Sequence, residues 1–145
     1  MIGRFTGSRL GVALVGALLL GAACGGGGDS SSGGVKVTEK DFSIAVDPSS
    51  VGNGEVTFTI TNEGPSTHEF VVFKSDLAPD KLPLDSSAGQ VDEEGQGVQH
   101  IDEKEDIAKG ASTTLKVTLD PGSYVLICNL PGHYQQGMHV GLTVT

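Results

Sequence analysis

Apolar residues recur at every second position over most of the chain, and this alternation restricts those segments to β-strands. In residues 55–61, valine, phenylalanine and isoleucine alternate with threonine and glutamate. One face of such a strand is apolar and the other is polar, as expected for a strand that covers a core on one side. The same alternation occurs in three further segments, residues 42–46, 115–119 and 140–144.

Turn-forming residues separate these segments, for example Asp120-Pro121-Gly122 and Pro131-Gly132. Residues 69–73 and 123–128 are more uniformly apolar, which indicates strands buried on both faces. The sequence shows no long amphipathic helical pattern. Many short strands with Gly/Pro turns predict an all-β fold, a two-sheet sandwich, over residues 35–145.

One long segment, residues 74–110, interrupts this pattern. It is acidic and sparsely apolar, and we interpret it as an insertion in the sandwich. Leu77, Leu82 and Leu84 are expected to form a short helical turn that packs on the sheets. An insertion of this length in a compact domain is either functional or loosely ordered, and the sequence does not distinguish these two cases.

The N-terminus carries the features of an export signal. Residues 1–23 contain two arginines, an 11-residue apolar run too short to span a bilayer, and small residues before Cys24. Residues 19–24, Leu-Leu-Gly-Ala-Ala-Cys, resemble a bacterial lipobox, which implies lipidation of Cys24; simple signal cleavage is the alternative. Residues 24–34 are then a lipidated cysteine and a Gly/Ser linker, followed by the domain at 35–145.

The charge balance limits the partners. The chain has 9 Lys+Arg against 18 Asp+Glu and a net charge of −9, so a nucleic-acid partner is not expected. The same acidity favours solubility or attracts a basic partner. We expect a membrane contact only through the lipid anchor, and a monomer.

The two cysteines differ in their surroundings. If Cys24 is acylated, Cys128 is a single thiol in an exported protein, which points to a metal or redox role. A Cys24–Cys128 disulfide is the less favoured alternative, because it would fasten a flexible tail rather than a core.

Cys128 begins the motif Cys-x4-His-x4-Met, which ends at His133 and Met138. A strand is predicted to end at Cys128 and another to begin near His139, so the three residues share one loop. Pro131 and Gly132 suit the centre of a type II turn that folds His133 back toward Cys128.

Thiolate, imidazole and thioether donors form a selective metal site. Two histidines and a cysteine with a weak axial methionine are typical of blue-copper electron-transfer centres. His68, at the start of a predicted strand, is the candidate for the second histidine. His139 is the rival axial ligand, but its side chain should alternate away from Met138. His100 is interpreted as a solvated surface residue.

Residues 62–68, together with residues 124–128 and the loop that follows, resemble the cupredoxins, the family of plastocyanin, azurin and rusticyanin. The resemblance covers nearly all of residues 35–145. It implies a Greek-key β-sandwich with one type 1 copper, ligated by His68, Cys128, His133 and the axial Met138. Many members have Asn after the first histidine, where this chain has Glu69, so the hydrogen bonding around the ligands is open.

The resemblance implies an electron carrier, not an enzyme. His133 is the expected electron port, and Leu130, Pro131 and Tyr134 are predicted to form an apolar rim for a redox partner of the cytochrome or copper-oxidase type. The expected location is the outer face of the cytoplasmic membrane, the periplasm or the cell surface. Three alternatives remain: copper delivery without electron transfer, a copper enzyme with a second centre, and a metal-free binding sandwich.

Overall fold

A computed structural model describes residues 33–145. The predicted signal (1–23), the lipidation at Cys24 and most of the predicted linker lie outside these residues. The last two linker residues, Gly33 and Gly34, belong to the first strand. The described part of the chain contains eleven strands and one short 3-10 turn, Tyr134–Gln136. The strands are β1 (Gly33–Lys40), β2 (Ser43–Asp47), β3 (Ser50–Val51), β4 (Gly54–Asn62), β5 (His68–Lys74), β6 (Leu84–Asp85), β7 (Gln90–Val91), β8 (Gln99–Ile107), β9 (Ser112–Leu119), β10 (Gly122–Ile127) and β11 (His139–Val144).

The strands form two main sheets. One has the order β2-β1-β4-β9 and the other β3-β11-β10-β5-β8, while β6 and β7 form a separate pair. The β1–β4 and β3–β11 pairs are parallel, and the other pairs are antiparallel. The all-β fold class predicted from the alternation is confirmed. In residues 33–145, no helix has the length and apolar character needed to cross a membrane.

The main core lies between the two sheets. Val56, Phe58 and Ile60 of β4 point inward and are fully buried, as their alternation predicts. Phe58 meets Phe70 of β5 with ring centroids 5.2 Å apart. Burial of each such side chain contributes roughly 1.5–3 kcal/mol to the free energy of unfolding, so this layer supplies much of the stability of the sandwich.

A second apolar cluster lies on the outer face of the five-stranded sheet. Val71, Phe73, Val125 and Ile127 point outward from β5 and β10. Residues from the 75–98 segment cover them, which explains why both strands are apolar on both faces. The covering side chains include Leu82 and Val91, 4% and 3% exposed.

The segment 74–110 differs from its prediction in two ways. No helix forms in it, and the three leucines do not pack together: Leu82 is buried, but Leu77 and Leu84 are 38% and 44% exposed. In addition, residues 99–107 are strand β8, which pairs with β5 at the sheet edge. Charged residues dominate β8 because an edge strand faces solvent along much of its length, and this hides the alternation.

Candidate metal centre

Cys128, His133 and Met138 lie in the loop between β10 and β11. The loop closes on itself, since the Cys128 N–H donates to the Met138 carbonyl (3.1 Å) and the Met138 N–H to the His133 carbonyl (3.2 Å). The His133 N–H donates to the Leu130 carbonyl (3.0 Å), and Gly132 has φ of 79°. These features are those of the predicted type II turn.

His68 reaches the same place from the start of β5. The buried Asn62 side chain holds the turn before it, donating to the carbonyls of Ser66 and Ile107 and accepting from the Gly64 N–H. His68 itself is fully buried, and burial lowers the pKa of its imidazole. The ring is therefore a neutral donor near neutral pH.

The three predicted nitrogen and sulfur donors meet. Cys128 Sγ lies 3.4 Å from His133 Nδ1 and 3.9 Å from His68 Nδ1, and the two Nδ1 atoms are 3.3 Å apart. One ion with bonds of about 2.0–2.3 Å can bridge donors at these separations. Met138 is fully buried in the same core cluster as Cys128, and its backbone is bonded to both Cys128 and His133.

The thiol is shielded from water. Burial raises the pKa of Cys128 to about 12, so a metal ion must displace its proton to bind the thiolate. The Glu69 backbone N–H points at Sγ at 3.5 Å. Such a contact stabilises a thiolate and tunes a metal bound to it. Within residues 33–145 Cys128 forms no disulfide, which agrees with its assignment as a metal ligand.

Glu69 occupies the position after His68 where many cupredoxins have an asparagine that connects the two ligand segments. The Glu69 backbone N–H links the two ligand segments through Cys128 Sγ. Burial, followed by the negative charge of Glu103, raises the pKa of the Glu69 carboxyl to about 7, and the nearby Asn129 backbone opposes this rise. The side chain differs from the Asn of many cupredoxins, and the observed link to the ligand loop is made by the Glu69 backbone.

The 75–98 segment braces the ligand loop. The Val91 N–H donates to Asn129 Oδ1 at 2.6 Å, and the Gly132 N–H donates to the Gly89 carbonyl at 2.8 Å. Asn129, which directly follows Cys128, is 2% exposed. The acidic segment is thus an ordered support for the loop that carries three of the four predicted ligands.

The predicted apolar rim is only partly found. Pro131 is exposed and Leu130 is partly buried. Tyr134, in contrast, is 4% exposed, and its hydroxyl donates to the Pro79 carbonyl and accepts from the Leu82 N–H. The prediction that Tyr134 contacts a partner is wrong, because the ring packs under the covering segment.

Sequence reasoning missed two side chains at the centre. Phe42 is 38% exposed, and its ring edge meets His133 with centroids 5.3 Å apart. Asp41 Oδ1 lies 2.9 Å from His68 Nε2. Both come from the β1–β2 turn, far from the ligands in sequence, and only the acidic and aromatic character of this turn hinted at a role.

The remaining histidines lie elsewhere. The His139 ring packs against Tyr134 at 5.2 Å and is not in the donor group. His100 is exposed, as predicted, and lies 3.5 Å from Glu103. With Glu93 these two residues form a second, more exposed group of possible ligands.

Comparison with known proteins agrees with this geometry. A structure of reduced auracyanin from Roseiflexus castenholzii has 25% identity and a TM-score of 0.56, covering 79% of this chain and 98% of that one. Auracyanin A of Chloroflexus aurantiacus, described as a "blue" copper protein, has 20% identity and a TM-score of 0.52, with coverage of 77% and 98%. Rusticyanin from Thiobacillus ferrooxidans has 18% identity and a TM-score of 0.56, with 79% of each chain covered. The latter two likenesses concern the fold alone.

A comparison with curated protein sequences gave no match. The donor set His68, Cys128, His133 and Met138, with these structural neighbours, supports one type 1 copper site. The family of the cupredoxin-like domain matches residues 11–140. Because this match spans most of its 145 residues, the chain belongs to the cupredoxin-like family.

Proposed function

We propose that this protein carries single electrons between redox proteins outside the cytoplasm. The observation that carries the proposal is the buried group of two imidazoles and one thiol, with donor atoms within 3.9 Å of one another and a buried methionine beside them. This donor set is that of blue-copper electron-transfer sites. Copper, when bound there, supplies a one-electron couple.

The fold favours electron transfer because it fixes the positions of the ligand side chains before a metal ion binds. Cys128, His133 and Met138 are joined by backbone hydrogen bonds, and His68 is fixed at the start of the buried strand β5. Residues 89–91 brace the loop from the other side. Ligands that move little between two oxidation states keep the reorganisation small.

The exposed side of the centre supports exchange with a partner. His133 is partly exposed, and Phe42 and Pro131 lie around it as exposed apolar groups. We propose that a redox protein, such as a cytochrome or a copper oxidase, docks over His133. A contact of this kind is typically small and short-lived.

The location is proposed from the sequence. The small residues before Cys24 support a lipid anchor, with the domain held at the outer face of the cytoplasmic membrane, in the periplasm or at the cell surface. In cells that express the full chain, Cys24→Ala should move the protein from the membrane fraction to the soluble fraction. An unchanged distribution would contradict the anchor.

Voltammetry and copper-retention measurements on the copper-loaded protein test the proposed function. We expect one reversible one-electron couple, rapid electron self-exchange, and copper retention over hours against a Cu(I) chelator. Cys128→Ser is the control and should lose the couple. Slow redox cycling together with rapid loss of copper to the chelator would instead indicate a copper-delivery protein.

A further inference from the structure

We propose that Asp41 positions His68 for copper and lowers the reduction potential of the centre. This role rests on the proposed type 1 site. It concerns a side chain that is not itself a ligand.

The two ring nitrogens of His68 face different groups. Nδ1 faces Cys128 and His133, and Nε2 lies 2.9 Å from Asp41 Oδ1. This is a close polar contact without the alignment of a hydrogen bond, and neither atom has a hydrogen-bond partner elsewhere among the described residues. A neutral imidazole carries one N–H. A proton held on Nε2 toward the carboxylate leaves the lone pair of Nδ1 free for a metal.

Gly64 shows that this contact is built into the fold. A Cβ at position 64 would lie 2.7 Å from Asp41 Oδ1 and 2.9 Å from His68 Nε2, both closer than side chains tolerate. Gly64 is not among the glycines with positive φ in residues 33–145, so its backbone conformation does not require glycine. Glycine is needed at position 64 for the space that the Asp41–His68 pair occupies.

The carboxylate is fixed from its other side as well. The Ser66 hydroxyl donates to Asp41 Oδ2 at 2.6 Å, and the Asp41 side chain is 18% exposed. An aspartate is ordinarily an anion at neutral pH. Here Oδ2 accepts the Ser66 hydrogen bond, and Oδ1 is left facing the His68 ring.

A fixed anion beside one ligand acts on the two oxidation states unequally. It stabilises the more positive cupric state more than the cuprous state, and it makes the imidazole a stronger donor. Both effects lower the potential. A purely structural role at the β1–β2 turn would instead change stability, while the Asp41 charge would be too well screened to move the potential.

The test compares the potential of the copper-loaded protein with that of Asp41→Asn. We expect the blue absorption to persist and the Cu(II)/Cu(I) equilibrium to shift at least tenfold toward Cu(I), about 59 mV. Glu63→Gln is the matched control, because it removes a charge from the neighbouring turn that is paired with Lys40 rather than with His68. It should change the equilibrium less than twofold.

Gly64→Ala separates the pair without changing any charge. It should raise the potential in the same direction, whereas Gly52→Ala, where a Cβ would meet nothing within 4 Å, should not. In the Cu(I) protein, nitrogen NMR should show a protected His68 Nε2–H that exchanges rapidly in Asp41→Ala. This signal reports the tautomer independently of the potential.

The possible results distinguish a failure of the Asp41 role from a failure of the proposed electron-carrier function. A blue Asp41→Asn protein with an unchanged potential would overturn the role of Asp41 and leave the electron carrier standing. A native protein that forms no blue centre would overturn both. If Asp41→Asn does not fold, Gly64→Ala and the NMR signal of the native protein decide the matter by the same criteria.

Discussion

The two histidines of the centre lie in opposite surroundings. His68 is fully buried at the start of a strand, with a carboxylate behind it. His133 lies in a loop, is partly exposed, and has an exposed phenylalanine at its edge. We therefore expect the buried side to set the electrostatics of the centre, and the surface side to be where an electron enters or leaves.

The largest effect is expected on the buried side, at Glu39. This β1 residue is fully buried, and neither of its carboxylate oxygens has a hydrogen-bond partner among the described residues. Burial, and then the charge of Glu69, raises the pKa of Glu39 from 4.5 to about 8. The unfolded chain releases this proton near its ordinary pKa while the folded protein retains it, so stability falls as pH rises from about 4.5 to about 8.

Glu39→Gln should therefore raise the free energy of unfolding by roughly 3–5 kcal/mol at pH 8, and by much less at pH 4.5. Denaturant unfolding at the two pH values measures this, with both proteins in the same copper state. A gain that is equal at both pH values would show that the carboxyl does not titrate as described.

An intermediate effect is expected at Tyr134, on the loop that carries His133. Tyr134→Phe removes the hydroxyl that joins this loop to Pro79 and Leu82, and leaves the Leu82 N–H without its partner. We expect a loss of about 1–3 kcal/mol in unfolding free energy and faster amide exchange in residues 130–136, with the blue band unchanged.

Tyr124→Phe is the control for this prediction, because its hydroxyl donates to the Asp120 carbonyl near the start of β10, away from the ligand loop. It should destabilise the protein without faster exchange in residues 130–136. Equal amide exchange in both variants would contradict the bracing of the His133 loop.

The smallest effect on the protein itself is expected at Phe42, on the surface side. Phe42→Ser removes an exposed ring from the edge of His133, so it should slow electron self-exchange several-fold. Stability should change by less than about 1 kcal/mol and the potential should not move. Leu84→Ser, at a residue 44% exposed in β6, is the matched control. Equal self-exchange rates in the two variants would remove Phe42 from the docking surface.

Local patterns in the sequence were enough to predict the sandwich and the ligand loop. The alternation in β4 and β9 reports directly which side chains face the core. The spacing from Cys128 to Met138 likewise predicts which side chains lie together, because these ligands share one loop whose turn is fixed by Pro131 and Gly132. Such features depend on residues close together in sequence.

The missed features depend on contacts between distant segments. Asp41 and His68 are 27 positions apart, and an aspartate in a turn gives no sequence signal that indicates which distant residue it contacts. Tyr134 directly follows the loop histidine, and nothing near it in sequence indicates that Pro79 and Leu82 bind its hydroxyl. Strand β8 was missed because its pairing with β5 tolerates a charged, half-exposed sequence.

Titration of the protein with Cu(II), followed by visible absorption and EPR, shows whether a type 1 centre forms. We expect an intense thiolate-to-copper band that saturates at one equivalent with narrow copper hyperfine splitting, and the loss of both in Cys128→Ser. Copper that binds without this band, or a band that survives in Cys128→Ser, would contradict a type 1 centre at His68, Cys128, His133 and Met138.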